Sequence, residues 1–170
     1  MAEAGPLTIR DLINSDVAVR DAPIAELVGE VRRLHDRIHG WSPASWREPC
    51  TTSTSGSGAS SSGSGSGSAV GTRADRVRAL AVELADLGRE AGSGVPAGVG
   101  PPHLADHALA DQIVVLATDV IEALVADAAG DTTVSGSSRR NDLAARARAA
   151  MHTARMDLET PRPRHRGGGS

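Results

Sequence analysis

Apolar side chains recur at Ile24, Leu27, Val28, Val31, Leu34 and Ile38, the rhythm of a helix that buries one side. Asp21 stands where an N-cap is needed, Pro23 suits the first turn, and Gly40 stops the run. A second helix opens at Thr72, with Asp75 three residues later as a capping box, and carries Val77, Leu80, Ala81, Leu84 and Leu87 to Gly92. The third is expected to start at Pro101 and Pro102 and to run to about Ala129. Leu109, Ile113, Leu116, Val120 and Leu124 form one of its faces and Val114, Ile121 and Val125 a second, so it should be the most buried. The fourth begins near Ser138 and shows Leu143, Ala147, Ala150, Met151, Ala154 and Leu158 before Pro161. Leu7 to Val19 holds a further irregular apolar run, read as one or two helical turns broken at Asn14, Ser15 and Asp16. No segment shows convincing strand alternation. The expectation is an all-α fold, a small helical bundle of about four main helices.

One tract interrupts the pattern: Thr51 to Ser68, TTSTSGSGASSSGSGSGS, contains nothing that can be buried. It divides the chain into an N-terminal helical segment with a Trp-containing loop (1–50), a disordered Gly/Ser/Thr-rich linker (51–71), a three-helix unit (72–160) and a disordered basic tail (161–170). Such a coil has an r.m.s. span of roughly 20 to 25 Å, against about 30 Å for a 20-residue helix. It can therefore return to either end of a bundle, or leave the first helix as a separate lobe.

Composition narrows the chemistry. Among 170 residues there is no Phe or Tyr, and Trp occurs only at positions 41 and 46, so the core is built from slim aliphatic groups that bury little area each. All 18 basic residues are Arg. Without lysine there is no phosphate-loop lysine, no Schiff base and no lysine general base. The Arg-only, Ala- and Gly-rich skew suggests a GC-rich coding sequence of the actinobacterial kind. A single cysteine, Cys50, makes no intrachain disulfide, and MAEAGPLTIRD lacks the apolar core of a signal peptide, so a cytoplasmic location is expected. The apolar run Ile113 to Ala117 is far too short to cross a membrane.

Charge is uneven: the third helix is acidic, whereas residues 132 to 170 hold 8 arginines against 3 carboxylates. These two helices are read as neighbours with complementary rims. Nucleic-acid binding by Arg139, Arg140, Arg146, Arg148, Arg155 and the tail PRPRHRGGGS is disfavoured in a chain of net charge -3 with few rings to stack on bases.

Histidines are the remaining candidates for site chemistry. His35 with His39, and His103 with His107, are spaced four apart, which lets two imidazoles on one helix face share a metal ion. The first pair is read as a packing residue (His35) and a C-terminal cation (His39). The second pair has Asp106 beside it, and a simple up-and-down bundle brings His152 near, so His103, His107, His152 and Asp106 form the candidate ligand set for Zn or Fe. That topology leaves His35 and His39 at the opposite end. In outline, three histidines at the end of a four-helix bundle resemble helical metal-dependent proteins of the DinB type, and the resemblance implies a metal-dependent role. GSGVPAGVG follows a helix and lacks a downstream lysine, so it reads as a loop rather than a phosphate cradle. Trp41 and Trp46 either cap the core or, with Leu27, Val31 and Leu34, face a partner. The leading expectation is a non-catalytic interaction or scaffold protein that self-associates or binds a protein through the apolar faces of the first and third helices. Metal binding is the alternative, and nucleic-acid association the next.

Overall fold

A computed structural model describes residues 21–51, 70–96, 98–130 and 133–159. Among them, four long helices and one short helix account for most of the chain: α1 (Ala22–Ile38), α2 (Pro43–Trp46), α3 (Arg73–Ala91), α4 (Leu109–Gly130) and α5 (Val134–Glu159). The protein is an all-α helical bundle. The expected turns within Leu7 to Val19, the tract 52–69 and the tail 161–170 lie outside the described residues.

The helix ends follow local chemistry with three differences from expectation. At the start of α3 the capping box forms: the Asp75 amide donates to Thr72 Oγ1 at 3.2 Å and the Thr72 amide to Asp75 Oδ2 at 3.0 Å. Its other end closes on Gly92 at φ 94°, with the Ser93 amide donating to the Gly88 carbonyl at 2.9 Å. Asp21, in contrast, occupies the N-cap position of α1 without a side-chain capping bond. α4 starts at Leu109, not at the prolines; residues 101–105 carry no regular structure and a 3-10 turn, Asp106–Ala108, leads into the helix. Paired prolines favour extended backbone in this stretch, and the Gln112 side chain secures it by donating to the Pro102 carbonyl at 2.7 Å. α5 begins earlier than Ser138, because Thr133 Oγ1 accepts from the Gly136 amide at 3.1 Å and caps the additional turn.

Ion pairs fix the helix directions. Glu26 meets Arg148 and Glu30 meets Arg155, so α1 and α5 run parallel. Arg76 meets Asp157 and Glu90 meets Arg146, so α3 and α5 are antiparallel. Arg78 meets Asp106, and Gly88 lies against Val120, so α3 and α4 are parallel. α4 and α5 each touch both α1 and α3. The bundle is thus not a simple up-and-down one. The end of α3 and the start of α4 lie at opposite ends of the bundle, a separation that the 14 residues 92–105 between them can span. The ends of α1 and α5 and the starts of α3 and α4 consequently share one end of the molecule.

That end also carries a two-stranded antiparallel ladder, β1 (Pro49–Thr51) with β2 (Val70–Thr72), in the register Pro49 to Thr72 and Thr51 to Val70. The strands are too short to show periodicity. They bring the two ends of the Gly/Ser tract side by side.

A single core unites the helices, with Leu27, Leu34, Ile38, Leu80, Leu84, Ile113, Leu124, Met151 and Leu158 buried and Trp46 only 2% exposed. Ala144, Ala147, Ala150 and Ala154 line the buried side of α5, small enough for neighbours to approach closely. On α4 the second apolar face is only partly used: Ile121 is buried, whereas Val114 and Val125 are half-buried. The arginines of α5 pair chiefly with α1 and α3, through Glu26, Glu30 and Glu90, and reach α4 through Arg140 and Asp127 at 3.6 Å. Complementary rims exist, but across different helices from those expected. Among the described residues no helix is long and apolar enough to cross a membrane.

Candidate metal centre

The apolar stripe of α1 ends in two histidines. His35 is half-buried and His39 exposed one turn further, and their rings stack with centroids 4.7 Å apart and planes inclined by 29°. Across from them the first turn of α4 presents Asp111. One donor atom from each of His35, His39 and Asp111 lies within 4.8 Å of the others. Donors around a tetrahedral zinc stand about 3.3 Å apart, as follows from bonds of about 2.0 to 2.1 Å. Side-chain shifts of about 1.5 Å or less would close the set. His35 Nδ1 is 3.8 Å from Asp36 Oδ1, beyond hydrogen-bond distance.

The backbone contributes opposing fields. The C-terminus of α1 favours a cation and the N-terminus of α4 disfavours one, each effect worth about 0.3 to 1 kcal/mol. They roughly cancel, leaving the Asp111 charge to decide the sign. The returning 92–105 segment makes the cluster possible, because in a simple up-and-down bundle α4 would start at the far end from His39.

The sequence-derived ligand set is dispersed. Asp106 accepts from Arg78 Nη2 at 2.5 Å, which directs it toward α3. His103 and His107 are exposed, the latter in the 3-10 turn. His152 is exposed on α5 and faces α1, its Nδ1 3.2 Å from Arg155 Nη2 and 3.5 Å from Glu30 Oε1. Among the described residues the convergent group is His35, His39 and Asp111 instead. The first histidine pair was visible in the sequence, as was Asp111 near the second pair; that Asp111 meets the first pair depends on the direction of α4.

The residues read as partner-binding are also relocated. Leu27, Val31, Leu34 and Trp46 are buried in the protein's own core, so they are not presented to a second molecule. Their stripe is covered by α4 and α5. Trp41 packs edge-on against Trp46, centroids 4.9 Å apart, and the Arg73 guanidinium covers its ring at 4.8 Å. Cys50 is buried, its thiol donating to the Thr72 carbonyl at 3.4 Å, and burial pushes the thiol pKa up. It is held as an inert thiol.

Among the described residues the most buried charged side chain is Glu30, between α1 and α5. Its Oε2 accepts from Arg33 Nε at 2.8 Å and Nη2 at 2.6 Å, and its Oε1 accepts from Arg155 Nε at 2.8 Å. Burial alone would raise its pKa; the hydrogen bonds from Arg155 and Arg33 outweigh that and hold the carboxyl below the usual range. A carboxylate lowered on folding stabilises the protein above its unfolded pKa, about 4.3. That contribution is lost as pH falls through the folded value. In Glu30→Gln, urea stability at neutral pH should drop and its decline between about pH 5 and pH 3 should flatten. Parallel acid limbs for the two proteins would remove Glu30 from the acid response.

No family model, curated protein or solved structure matches this chain.

Proposed function

We propose that this protein binds a divalent transition metal, zinc foremost, through His35, His39 and Asp111. The observation that carries this reading is the convergence of two imidazoles and a carboxylate from helices separated by 92–105 and the Gly/Ser tract. Two nitrogens and one carboxylate oxygen suit zinc or iron and do not suit calcium, which takes six or more oxygens. A metal here would clasp the end of α1 to the start of α4. Association through apolar helix faces has less support, because Leu27, Val31 and Leu34 already pack inside the bundle. Nucleic-acid binding is likewise weakened, since Arg146, Arg148 and Arg155 are engaged by Glu90, Glu26 and Glu30.

The test is thermal unfolding with and without zinc. At a free zinc concentration of a hundred dissociation constants the stabilisation is about 2.7 kcal/mol. The melting temperature should rise with zinc and not with calcium, the rise should vanish in His35→Ala with His39→Ala, and it should weaken in acid as protons compete for imidazole. An unshifted wild-type melting curve, with no zinc retained on dialysis, ends the proposal.

A further inference from the structure

Two of the three converging donors are open to solvent: His39 and Asp111 are exposed, and His35 is half-buried. An ion held between them keeps one side toward water. Among the described residues no fourth His, Cys, Asp or Glu donor joins the group. Zinc takes four donors: structural centres draw all of them from the protein, whereas three protein ligands leave the last position to water or a small molecule. Charge selects what enters that position. Ligating imidazoles are neutral, so His35, His39, the Asp111 carboxylate and a divalent ion sum to a single positive charge. Arg32 and Asp36, on the same stretch of α1, offset each other, with Arg32 Nε 3.8 Å from Asp36 Oδ2. The opposing fields of the two helix ends roughly cancel as well.

Resting on the metal-binding reading above, we infer that the centre is an open one: its fourth position holds water, and a small anion, a carboxylate foremost, displaces that water. Carboxylate oxygen is among zinc's ordinary donors, and the residual positive charge favours an anion over a neutral donor of the same shape. Because the exposed side of the site faces solvent, the ligand enters without any helix moving. The ion then acts as a Lewis acid toward what it binds, besides clasping α1 to α4.

The visible spectrum of the cobalt-substituted full chain decides this. Azide should shift the cobalt bands saturably while the metal stays bound, acetate should displace azide, and acetamide, the neutral counterpart of acetate, should not. Both anions should bind more weakly as pH rises and hydroxide takes the place of the bound water. His35→Ala with His39→Ala should take up no cobalt and show no bands. Cobalt held by the wild type, with bands that neither anion moves, means that a protein group fills the fourth position, which overturns the open centre and leaves the metal site standing. Acetamide competing as well as acetate overturns the preference for anions. Wild-type protein that binds neither zinc nor cobalt refutes the underlying site instead.

Discussion

Replacing Asp157 with Ala is expected to lower the unfolding free energy by about 3 to 5 kcal/mol, one of the two largest effects predicted for this protein. Asp157 Oδ2 accepts from Arg76 Nε at 2.7 Å, both side chains are only 8% exposed, and the pair joins the start of α3 to the end of α5. Desolvating two ions offsets most of their mutual attraction, so the pair itself contributes little net stability. Removing one partner is different, because the remaining guanidinium stays buried with its charge uncompensated. Arg76→Ala should also be destabilising, while Arg76→Met combined with Asp157→Leu, which removes both charges and keeps the volume, should recover most of the loss. Urea unfolding of the three variants measures this. If the double variant is as unstable as the sum of the singles, the penalty does not come from an orphaned charge.

Trp46→Ala should rank next, at about 3 to 5 kcal/mol. In a core without Phe or Tyr, Trp46 is the largest buried side chain, so truncating it opens the largest cavity. Its ring nitrogen also lacks a hydrogen-bond partner. A buried donor without a partner costs about 1 to 3 kcal/mol, so Trp46→Phe should be far milder than Trp46→Ala, the lost area being offset by removal of the orphan N–H. Trp41, half-buried against this ring, provides a fluorescence signal for unfolding in both variants. Equal losses for Phe and Ala would show that the nitrogen is satisfied in solution.

Where the fold was legible, a local pattern was enough. The stripe Ile24, Leu27, Val31, Leu34, Ile38 becomes the buried side of α1, and Thr72 with Asp75 caps α3 as their spacing requires. Such features depend on residues within a turn or two of one another. Where the reading failed, distant partners decided. Pro101 and Pro102 resemble a helix start until Gln112 is seen holding them outside the helix. His152 and Asp106 suit a metal set until Arg155 and Arg78 are seen beside them. The basic character of α5 reads as the complement of the acidic α4 until Glu26, Glu30 and Glu90 are found on α1 and α3.

By itself the sequence determined the number of long helices, the main side each one buries, an interior of aliphatic groups, and the absence of lysine chemistry. Hydrophobic period, caps and composition are properties of short windows, and they survive in any arrangement of the helices. Only the tertiary structure decided helix direction, the antiparallel ladder that closes the Gly/Ser tract, the buried Arg76 and Asp157 pair, and the meeting of His35 and His39 with Asp111. A stripe says that a helix must be covered, but parallel and antiparallel neighbours cover it equally well, and the choice falls to connections and charge pairs that act across the whole chain.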